Sequence, residues 1–386
     1  MTDITQFDEI RPYTNNEFKG VIVNIVKERG FIRFLKSFYP EIPTKAIVNK
    51  LLGLETTADF QKLILERMVD KIIKTSTTSF TYDGFEHIKK DENYLFITNH
   101  RDIVLDSVLL NKIMMLEKRD TMEVAMGSNL LVLKWIEDLV KLSKTFIVKR
   151  DIPRKDFYHY SELLSKYIRY TLTEKAQSVW IAQREGRTKN GDDKTQISLL
   201  KMLDISGNND FVNDFKQLKI VPVAISYEYE PCDIEKVREL YNKKQDVNYK
   251  KTQVDDLTSM SKGIEKQKGA VHYSFAEPLI IKLDELESLK KRNDKYKKLS
   301  EIIDSKIHKK YKLHPNNYIA ANKLFETDKY SNKFSDEQKQ HFDDYLEECL
   351  SELEGDKNEL KHMFLEIYGN PVKNSEQISE ENKESF

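Results

Sequence analysis

A histidine with carboxylates close by lies in the segment Asn-His-Arg-Asp-Ile-Val-Leu-Asp, residues 99–106. The imidazole of His100 titrates near neutral pH, which suits a general base that removes a proton from a hydroxyl group. A carboxylate behind the ring can hold its tautomer and stabilise the protonated form. Asp102 and Asp106 are both candidates for that partner. The segment therefore predicts a catalytic site.

His100 stands between two predicted elements. Residues 94–98, Tyr-Leu-Phe-Ile-Thr, form a short apolar run typical of a buried strand, and residues 107–115 carry an apolar stripe at helical spacing. In open α/β sheets, the ends of the strands and the loops beyond them usually form the site. The histidine is thus expected at such an end.

Bulk composition excludes several classes of protein. The 386 residues contain 63 Lys and Arg against 64 Asp and Glu, so net charge gives no support for nucleic-acid binding. The two cysteines and the scattered histidines lack metal-ligand spacing, which predicts neither a disulfide scaffold nor a metal site. There is no signal-peptide pattern and no apolar run of about 20 residues. We expect a cytoplasmic protein that at most lies on the cytoplasmic membrane face.

Short apolar strands separated by helices predict the α/β class, with a mostly parallel central sheet flanked by helices. Helical extensions are expected at both ends. The predicted organisation is a helical N-terminal region over 1–78, a core over 79–285, a helical C-terminal region over 286–370 and a disordered tail over 371–386. Within these, residues 20–39 are interpreted as part of a packed helical subdomain or as an interfacial anchor, because aromatic and basic residues alternate there. Residues 245–269 are expected to form an insertion or mobile loop.

Three further segments accompany the histidine segment. Residues 144–150 form an apolar strand that ends in Lys149 and Arg150, and residues 179–182 form a strand that runs into the basic sequence Arg-Glu-Gly-Arg-Thr-Lys, residues 184–189. Residues 220–225 form a strand containing Val-Pro-Val. In this order, the four segments resemble the four motifs of the glycerolipid acyltransferase superfamily, which includes the glycerol-3-phosphate and 1-acylglycerol-3-phosphate acyltransferases. The resemblance covers about residues 79–285.

The chain departs from the family pattern at two places. Five residues separate His100 from Asp106, where the family has four, and one extra residue rotates a helical side chain by about 100°. We favour Asp106 as the partner, with Asp102 as the alternative. The third motif is also one residue shorter than in the glycerol-3-phosphate branch, although its continuation resembles that branch, so the acceptor stays open.

The resemblance implies a mechanism and a set of site residues. His100 would remove the proton of an acceptor hydroxyl, which would then attack the thioester of acyl-CoA or acyl carrier protein, with no cofactor and no metal. The acceptor implied is glycerol-3-phosphate or 1-acylglycerol-3-phosphate in phospholipid biosynthesis. Guanidinium groups bind phosphate bidentately. The expected acceptor site comprises Arg150, Glu185, Gly186, Arg187 and Lys189, with Arg101 and Lys149 behind them.

Two alternatives remain beside this function. The acceptor can be another lysolipid or an amino-acid lipid, or the chain can be a catalytically silent lipid-binding member of the fold. Peripheral membrane contact is a separate expectation, based on the water-insoluble substrates that the superfamily handles and on residues 20–39.

Overall fold

A single sheet lies at the centre of the computed structural model, which describes the backbone of residues 2–384 and the side chains of residues 2–378. Its strands are β1 (Ser79–Asp83), β2 (Leu95–Thr98), β3 (Glu123–Gly127), β4 (Thr145–Val148), β5 (Val179–Ala182), β6 (Ile220–Tyr227) and β7 (Ala270–Phe275). They lie in the order β1-β7-β6-β2-β5-β3-β4. All neighbouring pairs are parallel except β6 and β7, which are antiparallel. The predicted mostly parallel α/β fold is confirmed.

Helices cover both faces of this sheet. They are α1 (Asn15–Ile25), α2 (Arg29–Phe38), α3 (Thr44–Gly53), α4 (Thr57–Phe60), α5 (Arg67–Ser76), α6 (Leu105–Leu116), α7 (Lys134–Leu142), α8 (Phe157–Thr173), α9 (Ile197–Asp204), α10 (Phe211–Lys216), α11 (Asp233–Gln245), α12 (Gln253–Glu265), α13 (Arg292–Lys310), α14 (Pro315–Leu324), α15 (Asp336–Ser351) and α16 (Lys357–Glu384).

The two faces of β2 show why its residues are almost all apolar. Leu95 and Ile97 pack into one core together with α8, α9 and α13, whereas Phe96 packs into a second core with α5 and α6. A parallel strand that is buried on both faces cannot alternate polar with apolar residues. The strand that carries His100 at its end is therefore held rigidly in the middle of the sheet.

The N-terminal helices pack against each other and against α7. The aromatic side chains of Phe31 and Tyr39 are buried, and those of Phe34 and Phe38 contact the same core. This arrangement agrees with a packed helical subdomain. It leaves no continuous aromatic face on residues 20–39 for insertion into a membrane.

Two polar segments, expected to form a disordered tail and an insertion or mobile loop, contain helix. Residues 371–384 continue α16, and Val372 and Ile378 are buried, so this part of the predicted tail is ordered helix; residues 385–386 lie outside the described residues. Residues 245–269 contain α12, whose Gly263 lies against Asp102. Both segments are anchored by a few tertiary contacts that their polar composition does not reveal.

Candidate active site

His100 follows β2 directly, at the carboxyl end of the strand. Its neighbour Asn99 ties this end to β6, because its side-chain amide donates to the carbonyl oxygen of Ile225 (2.9 Å) and accepts from the amide of Ile225 (2.7 Å). The carbonyl oxygen of His100 accepts a hydrogen bond from the amide of Thr188 (2.8 Å). The backbone on both sides of the imidazole is thus fixed by neighbouring segments.

The imidazole pairs with Asp106, whose Oδ2 lies 2.9 Å from Nδ1 of His100. The same Oδ2 accepts from the amides of Arg101 (2.6 Å) and Asp102 (3.0 Å), and Oδ1 accepts from the hydroxyl of Tyr227 (3.0 Å). The loop therefore folds back around the carboxylate, which accommodates the extra residue between His100 and Asp106. With Nδ1 engaged in this way, Nε2 is the nitrogen that can accept a substrate proton.

Asp102, the alternative partner of His100, directs its carboxylate to the start of α6. Its Oδ1 accepts from the amides of Val104 and Leu105, both at 2.8 Å, so the side chain caps the N-terminus of α6. Its Oδ2 lies near Cys232 and Gly263. In this geometry the carboxylate facing His100 is that of Asp106.

A pocket of about 600 Å³ opens beside His100. One wall is apolar and comprises residues between the sheet and α8 and α9, among them Ala125, Val148, Leu164, Leu199 and Met202. A second part of the lining, here called the cationic wall, carries cations from the loops that follow β4 and β5. A pocket of this size with one apolar wall and one cationic wall fits an amphiphilic substrate.

Arg187 is the most deeply buried cation of this wall. The residue is 5 % exposed, and its Nη1 has no hydrogen-bond partner among the described residues. Buried polar groups are usually satisfied, so the unpartnered nitrogen makes Arg187 a candidate partner for an anion in the pocket. Arg184, from the same loop, also lines the pocket with a buried, unpartnered Nε. Both guanidinium groups are suited to an anion.

The other predicted acceptor residues also line the pocket. Arg150 forms an ion pair with Glu185 (3.0 Å), whose side chain is largely exposed, so that the pair can open at little cost. Gly186 adopts a left-handed backbone conformation (φ 69°) that suits glycine. Lys149 reaches the rim, 3.9 Å from Glu9.

Lys189 belongs to a second group of charges in the pocket. Its Nζ lies 3.1 Å from Glu239, and burial lowers the pKa of this lysine while Glu239 opposes the shift. Lys251 also lies within 4.0 Å of Glu239.

Three residues of the pocket were not predicted from the sequence, namely Arg184, Glu239 and Lys251. Only Arg184 stood in a recognised motif, and the other two come from segments that carry no motif.

Arg101 does not contribute to the acceptor site as expected. The side chain is fully buried, forms an ion pair with Asp193, lies 3.5 Å from Glu230 and stacks on Tyr311. Lys236 donates to the carbonyl oxygen of Arg101 (2.7 Å). The prediction is wrong because two acidic residues, distant in sequence, neutralise this cation away from the pocket.

Residues 79–226 match the model of the acyltransferase family. The matched segment contains His100 and the loops that follow β4 and β5, and it is an acyltransferase-family segment within a longer chain. Among solved structures, the chain is similar to the crystal structure of the 1-acyl-sn-glycerophosphate (LPA) acyltransferase PlsC from Thermotoga maritima, with 15% identity and a TM-score of 0.33 over 75% of this chain and 92% of that chain. No curated protein matches it.

The described residues contain neither a metal-binding cluster nor a membrane-spanning helix. Within residues 2–384, the chain has no group of three or more His, Cys, Asp and Glu side chains placed to hold a metal ion. None of its helices in that range combines the length and apolar character needed to cross a bilayer.

Proposed function

We propose that this protein transfers a fatty acyl group from acyl-CoA or acyl carrier protein to a hydroxyl group of glycerol-3-phosphate or 1-acylglycerol-3-phosphate. The observation that carries the proposal is the presence in one pocket of His100, paired with Asp106, and of Arg187, a buried cation with an unpartnered nitrogen. The first provides a base for the acceptor hydroxyl, and the second provides a partner for its phosphate.

The reaction follows from these roles. Nε2 of His100 takes the hydroxyl proton as the acceptor oxygen attacks the thioester carbon, and Asp106 stabilises the imidazolium. When the tetrahedral intermediate collapses, the carbon–sulfur bond breaks and the thiolate takes the proton from His100. No acyl-enzyme is required. Burial raises the pKa of Cys232 and of Cys349 to about 12, which leaves neither thiol activated as a nucleophile.

A panel of acceptors tests this function. Purified protein is supplied with acyl-CoA or acyl carrier protein, and thiol release is followed with glycerol-3-phosphate, 1-acylglycerol-3-phosphate, glycerol, monoacylglycerol and lysophosphatidylcholine. We expect turnover with a phosphorylated glycerol, a loss of about 10²-fold or more in His100→Ala, and a rise of at least about 10-fold in acceptor KM in Arg187→Met. His362→Ala, at an exposed histidine on α16, is the matched control.

The results of the acceptor panel distinguish the proposed function from its two alternatives. Turnover restricted to acceptors without a phosphomonoester contradicts the proposed acceptor and favours another lysolipid or an amino-acid lipid. Absence of thiol release with every donor and acceptor, from a folded protein, favours a silent lipid-binding member.

Peripheral contact with an anionic membrane is part of the proposal. Large hydrophobic side chains are exposed on segments that border the pocket: Leu133, Phe157, Tyr158, Ile197 and Val254. Phe157 and Tyr158 are 61% and 65% exposed and follow the cations Arg154 and Lys155. Apolar and basic side chains together favour binding at an anionic lipid surface.

Flotation with phosphatidylglycerol vesicles tests the membrane contact. The wild-type chain is expected to float, and Phe157→Ser/Tyr158→Ser to float less. Phe325→Ser, at an exposed phenylalanine on a segment that does not line the pocket, serves as the control. Equal loss in both variants, or no flotation of the wild type, contradicts this surface.

A further inference from the structure

The loop that follows β5, residues 184–195, is held from outside by two helices of the C-terminal region. We call it the acceptor loop, because it carries Arg184, Arg187 and Lys189. The helices are α13 and α16, which both lie outside the segment 79–226 that matches the acyltransferase family. No motif in the sequence assigns them a role.

Helix α16 contacts the acceptor loop at its tip. The side-chain amide of Asn370 donates to the carbonyl oxygen of Asn190 (2.7 Å). Gly191 has a left-handed backbone (φ 71°), and a Cβ atom at this position would overlap the carbonyl oxygen of Ile367. The loop and the helix therefore meet backbone against backbone at this point.

Helix α13 contacts the end of the same loop. Asp304 accepts from the amide (2.8 Å) and the hydroxyl (2.6 Å) of Thr195, and Nε2 of His308 donates to the carbonyl oxygen of Asp193 (2.5 Å). Two of these three hydrogen bonds involve a backbone group of the loop. These hydrogen bonds restrain the backbone of the acceptor loop and do not involve the side chains that face the pocket.

The inner side of the loop is tied to the catalytic histidine. The amide of Thr188 donates to the carbonyl oxygen of His100, and the carboxylate of Asp193 accepts from the hydroxyl of Thr188 (2.6 Å) and from Arg101. Arg187 directly precedes Thr188, the residue whose amide is hydrogen-bonded to His100. A small shift of the loop moves its guanidinium group relative to His100.

We propose that the C-terminal helices determine the affinity for the phosphorylated acceptor, by holding the acceptor loop where Arg187 faces the pocket, and that Asn370 is a positioning residue in this function. The inference rests on the proposed acceptor chemistry. It assigns to the C-terminal region a part in substrate selection, beyond its contribution to the fold.

Substitutions at Asn370 test the inference. Asn370→Asp keeps the shape of the side chain but removes the amide donor and places a carboxylate near the carbonyl oxygen of Asn190. Asn370→Ala removes the contact without adding charge. For both, we expect the KM for the phosphorylated acceptor to rise about 5- to 20-fold, while kcat and the KM for the acyl donor stay within about twofold. Lys373→Ala, an exposed position one turn along α16, should match the wild type.

The readouts distinguish the proposal from a purely structural role and from failure of the proposed function. A lower melting temperature with unchanged acceptor KM overturns the inference. So does an equal rise in the KM values of acceptor and donor. If the wild-type enzyme does not distinguish phosphorylated from unphosphorylated acceptors, the proposed acceptor chemistry itself fails. A wild type that makes this distinction, beside an Asn370→Asp variant with wild-type KM, overturns only the inference about the C-terminal helices.

Discussion

At the scale of single residues, the geometry of the site depends on the hydrogen bonds that the carboxylate of Asp106 accepts. Asp106 accepts from His100, from two backbone amides and from Tyr227. These contacts leave the carboxylate little freedom to rotate away from the imidazole. The orientation of His100 is consequently set before any substrate binds, which is the condition for efficient proton transfer.

Replacing each of the two aspartates with asparagine distinguishes their functions. Asp106→Asn presents a neutral amide to Nδ1 and removes the charge that stabilises the imidazolium, so we expect kcat to fall by about 10²- to 10⁴-fold. Asp102→Asn keeps an oxygen for the cap of α6, and we expect kcat within about threefold of wild type and a stability loss of about 1 kcal/mol or less. Steady-state kinetics and thermal unfolding measure both effects. A larger kinetic loss in Asp102→Asn would reverse the assignment.

The sequence predicted some of these residues and left others undecided for a physical reason. His100 and Arg187 belong to motifs whose order along the chain indicates their place in the sheet. The partner of His100 stayed open because helical geometry alone does not show how a loop folds back. Arg101 was assigned wrongly because its neutralising groups, Asp193 and Glu230, come from distant segments.

At the scale of elements, α12 supports the loop that follows β2, residues 99–104, which we call the catalytic loop because it carries the proposed base. The backbone of α12 closely approaches a side chain of this loop. A Cβ atom at Gly263 would overlap the carboxylate of Asp102, and Cys232 lies on the other side of the same contact. The helix can pack here only because position 263 has no side chain. Lys251, Thr252, Gln253 and Asp256, at the start of α12 and just before it, also line the pocket.

Two glycine substitutions in helices should have opposite effects. Gly263→Ala forces α12 away from Asp102, and we expect a loss of roughly 1–3 kcal/mol in the free energy of unfolding. Gly20→Ala, in α1, meets no atom within 4 Å and should stabilise by about 0.5–1 kcal/mol through helix propensity. Urea denaturation measures both. Similar shifts in the two variants would contradict the packing of α12 on the catalytic loop.

The strands that were predicted share one property, namely short apolar runs. β3 was missed because its sequence, Glu-Val-Ala-Met-Gly, begins with a charged residue. Glu123 is nevertheless buried, since Tyr167 and Lys175 donate to its carboxylate. A local hydrophobic pattern identifies a buried strand only when its buried side chains are apolar. In β3 one buried side chain is a carboxylate, which polar contacts compensate.

At the scale of the whole molecule, the C-terminal region completes the core and introduces a titratable group. His314 caps the N-terminus of α14 and is 5 % exposed. Burial lowers its pKa to about 4, and the nearby charges of Lys312 and His272 act in the same direction. The folded protein therefore disfavours protonation of this imidazole.

This depressed pKa predicts a loss of stability in mild acid. Between pH 6.5 and 4, the unfolded chain binds a proton at His314 that the folded chain does not bind. The free energy of unfolding therefore keeps its full value above the unfolded pKa and decreases as the pH falls below it. The total decrease is on the order of 3 kcal/mol. His314→Asn keeps a capping side chain and should reduce the loss between pH 7 and 4.5. Burial raises the pKa of Asp304 to about 6, so protonation of this carboxyl group stabilises the folded protein as the pH falls. This contribution is the same in the wild type and in His314→Asn. Identical pH profiles for variant and wild type would contradict this expectation.

The contact between Asn370 and Asn190 also has a consequence for synthesis. β2 emerges early from the ribosome, but its neighbours β5 and β6 follow only after more than 80 and 120 further residues, and α16 comes later still. A nascent chain thus carries His100 through most of translation without the contacts that α13 and α16 make with the acceptor loop. Under the proposed role of the C-terminal helices, competence to bind an acceptor appears only near the end of elongation, and interrupted translation products retain His100 but lack the contacts that hold the acceptor loop.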